Sequence, residues 1–323
     1  MRRYIAQRLL TSIPVIIIVG IITFSLLYIA PGDPAAIIGG DEATPEQLEE
    51  IRHQLGFDKP YHVQLGRWGS RMIHGDLGTS IFSKREITML IRPRIQPTVS
   101  LGIQIIIVSS LLGVSLGMLA AWKAGAKLDR ALMVFAVIGF ATPGFWLAFL
   151  LIWGFAVNLN WFPVIGYAPV DISSLGAFGR TLPSHLHSMF LPVLVNSVLA
   201  SAFISRITRS AMLEVLREDY VRTARAKGLS EIRVFLRHAF RPAAIPIVTV
   251  IGGSLAGLAT GLVVTERIFA IPGLGRMLVE AIARRDYPII QGLLMLASTT
   301  FIAINLAADI LYAYVDPRVR YGG

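Results

Sequence analysis

The chain has 323 residues, of which 54% are hydrophobic and only 15% are charged, and its lysines and arginines give a net charge of +10. A soluble domain carries about a quarter charged residues, so this composition excludes the ordinary soluble class and indicates a helical membrane protein. Cysteine is absent, which excludes disulfides and thiolate metal sites. The positive charge fits basic cytoplasmic loops, and no aromatic-interleaved basic patch points to nucleic acid.

Six apolar blocks are long enough to cross about 30 Å of hydrocarbon at about 1.5 Å per residue, so the sequence predicts six membrane-spanning helices. They lie at residues 9–30, 98–121, 131–157, 189–205, 243–265 and 289–308. The first block follows a basic start, as a signal sequence does, but its 22 uncharged residues exceed the apolar core of a signal. We therefore expect a retained first span.

The lysines and arginines between the blocks set the expected orientation. With the N-terminus inside, the inner segments hold 17 of these residues and the short outer loops hold 5. Both termini are therefore predicted to be cytoplasmic. The predicted divisions are a cytoplasmic stub with the first span (1–30), an extracytoplasmic loop or cap (31–97), a five-span core (98–315) with a basic central loop (206–242), and a cytoplasmic tail (316–323).

The outer loop, residues 31–97, is predicted to contain two short helices. Thr44-Pro45-Glu46 supplies a helix N-cap, a first-turn proline and a first-turn acid, and so opens a helix that runs through Leu55. A second helix is expected over Tyr61–Ile73. Two roles stay open for this loop, because it could meet a substrate-delivery protein or only cover the rim of the helix bundle.

Glycines and a proline predict where the spans pack closely or bend. Glycines recur at four-residue spacing in the second and fifth spans, which places them on one helix face and lets neighbouring backbones approach. They are Gly113 and Gly117, and Gly253, Gly257 and Gly261. Helix packing is a better interpretation of them than pore lining. In the third span, Pro143-Gly144 predicts a kink or a break.

The sequence carries none of the motifs that would make this chain an enzyme: no Walker A loop, no H-E-x-x-H and no G-x-S-x-G. His185 and His187 are two residues apart, which on a helix does not converge on one ion, so we expect both at the outer interface. Asp309 lies at the end of the sixth predicted span, and this place disfavours a proton relay. A permease driven by a separate ATPase needs no such groups, whereas a proton- or sodium-coupled carrier does.

The central loop, residues 206–242, is the one long polar segment between hydrophobic blocks, with nine basic and four acidic side chains. A helical face formed by Leu213, Leu216, Tyr220 and Ala224 predicts a first helix. Gly228 is expected to end that helix, because glycine readily adopts the left-handed backbone of a helix C-terminus.

A second helix is predicted after the glycine, with Ser230 as its N-cap. Its apolar stripe consists of Ile232, Phe235, Leu236, Ala239 and Phe240, and Pro242 is expected to mark the boundary of the next apolar block. From the residues alone two interpretations remain. The loop either lies on anionic lipid or docks a soluble partner.

The amino-acid sequence of the loop resembles that of one family. The run DYVRTARAKGLSEIRVFLRHAFRPAAIPIVT is similar to the EAA loop of ABC importer permeases, in the dipeptide, oligopeptide and nickel branch. The family's loop glycine falls on Gly228, and its Glu-Ala-Ala triplet falls on Arg222-Thr223-Ala224, where only the last alanine is kept. LGFDKPYHVQLGRW and ERIFAIPGLGRMLVEAIARRDYP resemble the same branch, so the resemblance covers nearly the whole chain.

The resemblance implies a fold, a function and a set of partners. The expected fold is an all-α, six-span, MetI-like permease bundle with a cytoplasmic coupling helix, in a bacterial cytoplasmic (inner) membrane. The expected function is one of two pore-forming subunits of an ATP-driven importer of di- or oligopeptides. A nickel or glutathione permease is the alternative within the family, and a secondary carrier with a lipid-associated loop is the alternative from another class.

The expected partners are a second permease, two ATPase subunits, an extracytoplasmic solute-binding protein and membrane lipid, and not nucleic acid. The resemblance implies no cofactor on this chain, because ATP and magnesium would bind the ATPase subunits. It implies no catalytic or metal-binding residue and leaves substrate contacts unassigned. The residues expected to contact the ATPase are Thr223, Ala224, Arg225, Ala226, Lys227, Gly228, Leu229 and Ser230.

Overall fold

The computed structural model describes residues 2–29, 35–36, 44–55 and 58–315, and helices make up most of this described part. They are α1 (Arg2–Ile29), α2 (Pro45–Leu55), α3 (Tyr61–Ile73), α4 (Ile87–Trp122), α5 (Lys127–Ala141), α6 (Gly144–Leu151), α7 (Leu175–Val215), α8 (Asp219–Ala226), α9 (Glu231–Arg233), α10 (Phe240–Ile268), α11 (Leu274–Arg284) and α12 (Tyr287–Val315). A π-helical segment, Ile152–Asn158, continues α6, and another, Val234–Ala239, joins α9 to α10.

Five helices among the described residues are long and apolar enough to cross a membrane, and a bent pair raises the number to six. The five spans are Leu10–Ile29, Ile87–Trp122, Leu175–Val215, Glu231–Ser254 and Tyr287–Ala307. The bent pair is Lys127–Ala141 with Gly144–Asn158, which meet at 105°. The predicted all-α, six-span membrane protein is confirmed.

The break in the third span falls where the sequence predicted it. Thr142 has an extended backbone with ψ of 126°, and Pro143 begins the next helix with φ of −62°. A residue before proline is driven out of the helical region, because the proline ring collides with its backbone. The single predicted span 131–157 is therefore two helices at a steep angle.

Two other spans are longer than their apolar blocks. The second begins at Ile87, so the last residues of the predicted outer loop are already helical. The fourth is a 41-residue helix with Ser174 as its N-cap, whose hydroxyl accepts the N–H of Ala177 at 3.1 Å. It continues to Val215, so the central loop begins with the last turns of α7. Hydropathy marks only the apolar part of a helix, whereas backbone hydrogen bonding continues into its polar ends.

One compact unit comprises residues 1–96 and 273–306. Its core contains Leu27, Ile87, Ile91, Met277, Ala281, Tyr287, Ile289, Ile290 and Leu293. α3 packs on α1 through aromatic rings, with Phe24 lying 5.5 Å from both Tyr61 and Trp68 between ring centroids. Both predicted loop helices have the predicted bounds, and Thr44 and Gln47 exchange hydrogen bonds in a capping box that starts α2.

The second compact unit comprises residues 97–272 and 307–323. α4 crosses α7 closely at two glycines. A Cβ at Gly113 would lie 2.6 Å from Cβ of Ile204, and one at Gly117 would lie 2.6 Å from the carbonyl oxygen of Ser205. Helix packing at these glycines is confirmed. Gly253 in the fifth span has open space around it instead, and the surroundings of Gly257 and Gly261 lie outside the described residues.

His185 was expected at the outer interface, and the structure shows that this prediction is wrong. Its side chain is 2% exposed. Nδ1 lies 2.7 Å from the carbonyl oxygen of Ala168 and must donate to it, so Nε2 accepts from the Gln104 amide at 2.9 Å. The partners explain the burial, since both ring nitrogens are satisfied. His187 remains at the surface, 2.9 Å from the carbonyl oxygen of Trp161, and the side chain of Asp309 lies outside the described residues.

Candidate coupling site

The candidate site is a helical hairpin, residues 219–239, made of α8, the turn after it, α9 and the following π-helical segment. It connects two long helices of the second unit, because α7 leads into it and α10 leads out. α7 ends at Val215, and a turn is closed by the N–H of Glu218, which donates to the carbonyl oxygen of Val215 at 3.1 Å. The predicted first helix is therefore two helices rather than one.

That turn corrects the predicted apolar face. Tyr220 was expected on the same face as Ala224, but it is 45% exposed, whereas Val221 is fully buried. Val221 and Ala224, three residues apart, form the buried face of α8. The turn after Val215 separates this face from Leu213 and Leu216, so the spacing counted across the turn fails. Partial burial raises the pKa of the Tyr220 hydroxyl, with a smaller contribution from the charge of Glu218, and the side chain stays neutral at physiological pH.

Gly228 ends α8 as predicted. Its φ is +75°, in the left-handed region. The N–H of Gly228 donates to the carbonyl oxygen of Arg225 at 2.9 Å, and the N–H of Leu229 donates to that of Ala224 at 3.4 Å. These two bonds form a Schellman motif, which satisfies carbonyls that the helix end would leave unpaired.

The hairpin has a small apolar interior of its own. Val221, Ala224 and Val234 are buried together, and Leu229 is partly buried against them. The contact between Leu229 and the last turns of α8 usually accompanies a Schellman motif. The turn is therefore held from inside, and the two arms of the hairpin form one body.

The base of the hairpin packs on the ends of the long helices. Phe235 and Ala239 are buried in a cluster with Met212 of α7. The ring of Phe235 meets Trp122, the last residue of α4, edge-to-face with centroids 4.8 Å apart. A displacement of the hairpin therefore acts directly on α4 and α7.

Two further predictions about the second arm are wrong. Ile232 and Leu236 were expected in the apolar stripe but are 65% and 52% exposed. Pro242 was expected to mark a boundary, yet the helix runs through it. Pro242 cannot donate to the carbonyl four residues before it, at His238. That carbonyl belongs to the π-helical segment Val234–Ala239, whose wider turn also shifts the register of the apolar stripe.

The structure divides the eight predicted contact residues into two groups. Ala224 is buried and Leu229 is partly buried, so these two hold the turn together. The other six are exposed and free of the hairpin's interior: Thr223, Arg225, Ala226, Lys227, Gly228 and Ser230. A partner that docks here would contact these six and the surface of α8.

The exposed face of the hairpin is predominantly basic. Arg225 forms an ion pair with Glu231 at 3.0 Å across the turn, and Arg222 pairs with Asp219 at 3.3 Å. All four side chains are largely exposed, so these pairs add little stability. The exposed basic side chains of the hairpin suit contact with a protein surface or a phosphate-rich surface. In the part of the chain that the structure describes, no group of three histidine or acidic side chains is arranged to hold a metal ion.

Sequence reasoning missed one feature beside the site, a partly buried ion pair between Asp129 of α5 and Arg209 of α7. Nε of Arg209 donates to Oδ1 of Asp129 at 2.6 Å. Arg209 lies in the predicted central loop, and Asp129 lies between the second and third predicted spans. No local spacing reveals this pair, because its partners are 80 residues apart.

Comparison with known proteins identifies the family of this chain. The family model described as "Binding-protein-dependent transport system inner membrane component" matches residues 113–321, which include the hairpin. The model for the N-terminal part of such membrane components matches residues 1–102. Together they cover almost the whole chain.

Several relatives align with this chain over nearly the full length of both proteins. The chain is 45% identical to a probable peptide ABC transporter permease of Sinorhizobium fredii, over 98% of this chain and 99% of the relative. It is 40% identical to a glutathione transport system permease of Salmonella paratyphi A, over 99% and 100%. It is 39% identical to the dipeptide transport system permease of Escherichia coli, over 99% of both.

A solved structure supports the fold. The inward-facing MetNI methionine ABC transporter contains a chain that matches with a TM-score of 0.56 and 17% identity, over 71% of this chain and 97% of that one. This likeness shows the fold alone, and it confirms the predicted MetI-like bundle. The chain therefore belongs to the binding-protein-dependent transport system inner membrane component family, as a multi-pass permease subunit rather than an enzyme.

Proposed function

We propose that this chain is one of two permease subunits of an ATP-driven importer of di- or oligopeptides and forms half of the translocation path. The observation that carries the proposal is the hairpin closed by Gly228, which joins two long helices and leaves six residues exposed at its turn. The substrate class follows from relatives named as peptide and dipeptide permeases. Glutathione is an alternative substrate, because one relative is named for it. Nickel is the other alternative within the family.

The proposed partners are a second permease of the same family, two ATPase subunits and an extracytoplasmic solute-binding protein. ATP and magnesium would bind the ATPase subunits, not this chain. The excess of lysine and arginine in the inner segments supports a hairpin on the cytoplasmic side, with both termini there and membrane lipid around the spans. This location gives the ATPases access to the hairpin.

The geometry suggests how the hairpin would couple hydrolysis to transport. The turn at Gly228 would sit in a surface groove of an ATPase subunit. When ATP draws the two ATPases together, the hairpin would be displaced as one body, because its own core and the packing of Phe235 on the ends of α4 and α7 resist deformation. α7 and α10 continue from its two ends, so the path would change between inward- and outward-facing states.

The proposal is tested by reconstituting the complete assembly in liposomes, with and without the ATPase subunits. Uptake would be measured with labelled di-, tri- and pentapeptides, glutathione and Ni²⁺. We expect uptake of a peptide only when the ATPases and ATP are both present, and ATPase activity that rises with loaded binding protein. Uptake without the ATPases would contradict the proposal and favour a secondary carrier.

A further inference from the structure

The ion pair between Asp129 and Arg209 joins three elements at one carboxylate. Nε and Nη2 of Arg209 donate to its two oxygens at 2.6 and 2.8 Å. Oδ2 also accepts the N–H of Gly125 at 2.9 Å, in the turn between α4 and α5. Asp129 is only 2% exposed. The end of α4, the start of α5 and the last turns of α7 are thus fixed to each other.

The neighbouring helix crossing reinforces this connection. Gly117 of α4 packs against Ser205 and Thr208 of α7, so close that a Cβ there would lie 2.6 Å from the Thr208 Cβ. Thr208 directly precedes Arg209. The part of α7 that carries the arginine is therefore held to α4 by packing and to α5 by charge, and it leads directly into the hairpin.

We propose that Asp129 and Arg209 are a positioning pair that makes α5 move together with the hairpin during the transport cycle. A two-point, charge-assisted contact fixes both the distance and the angle between helices, which a single hydrogen bond does not. α5 is the first half of the bent third span, and the break at Pro143 lets it move relative to α6. The inference rests on the proposed function, because the motion would come from ATPases docked on the hairpin.

A coupling role and a purely stabilising role give different results in a pair of variants. Arg209→Met leaves the Asp129 carboxylate buried without its partner, which destabilises a protein strongly. Adding Asp129→Asn removes that buried charge, while the asparagine side-chain oxygen still accepts the N–H of Gly125. The double variant should therefore regain most of the lost stability, but it still lacks the ion pair.

The experiment uses the reconstituted complete assembly and the labelled peptide that the wild type takes up. The thermal stability, ATPase co-purification and uptake per ATP hydrolysed are measured for wild type, Arg209→Met and the double variant. We expect both variants to keep their ATPases and to lose about tenfold in uptake per ATP, a typical coupling between distant sites. If the double variant regains wild-type uptake per ATP together with its stability, the pair only stabilises the fold and the inference is overturned.

The matched control is Asp286→Asn in the other unit. Asp286 is 3% exposed and accepts from the Ser80 hydroxyl at 2.5 Å, so the change removes an equally buried charge. Uptake per ATP should stay at the wild-type value, and an equal loss there would show that the effect is not specific. Wild-type uptake without hydrolysis would overturn the proposed function, whereas normal coupling in wild type and in both variants would overturn this inference alone.

Discussion

Gly228 is the residue on which the shape of the hairpin depends most directly. Its φ of +75° is open to glycine and costly for a β-branched residue. A Cβ there would meet nothing within 4 Å. The requirement for glycine is therefore one of backbone conformation and not of space.

Gly228→Val tests the hairpin at this residue. We expect backbone strain of about 1–2 kcal/mol, which favours opening of the Schellman turn. Membrane insertion should be normal, while ATPase co-purification and uptake should fall. The control is Gly75→Val, since Gly75 follows the end of α3 with a φ of +78° and equally open space. Wild-type co-purification and uptake in Gly228→Val would contradict the docking role.

Single residues were predictable where local chemistry decides their conformation. Gly228 and the Thr44 N-cap follow from backbone preference and side-chain reach within a few residues. His185 and Asp129 were not predictable, because their partners lie far away in the sequence. Burial of a polar side chain depends on whether the fold supplies a partner, and sequence spacing does not show this.

At the scale of whole helices, the close crossing of α4 and α7 at Gly113 and Gly117 holds these two helices together. Gly117→Ala would place a methyl group 2.6 Å from a backbone carbonyl oxygen, and this atom cannot move aside as a flexible side chain would. We expect a loss of about 1–3 kcal/mol in stability. A lower melting temperature of the purified protein would show it.

Gly253→Ala is the control for that prediction. Gly253 also lies within a spanning helix, but a Cβ there meets nothing within 4 Å. The stability of the isolated chain should be unchanged or higher, because alanine favours the helix more than glycine does. Equal losses in the two variants would mean that the crossing is not the cause.

The number of spans was predictable, but the ends and faces of the helices were less so. Apolar length identified all six spans, and the Pro143 break follows from a local steric effect. The extension of α7 to Val215 was missed, because hydropathy falls at polar residues even where the helix continues. The wrong face at Tyr220 arose because the face was counted across a turn that hydropathy does not show, and the buried face of α8 is formed by Val221 and Ala224 instead.

For the whole molecule, the described residues offer contacts and not reaction chemistry. The buried side chains of His185 and Asp129 are satisfied by other groups of the protein. The hairpin exposes six residues at its turn, where they can meet a partner. In the proposed function the ATPases act on the hairpin from outside the membrane, so the side of the membrane that holds the hairpin is the decisive property.

The absence of cysteine allows that side to be determined directly. A single cysteine at Ser230, exposed beside the turn, should react with a membrane-impermeant maleimide only when the cytoplasmic face is accessible. A cysteine at Ser173, exposed in the segment before α7, should react from the opposite side. The basic inner segments give this orientation, since lysine and arginine stay on the cytoplasmic side during insertion. Labelling of the Ser230 cysteine from outside intact cells would show that the hairpin lies where cytoplasmic ATPases cannot reach it, and it would refute the coupling mechanism.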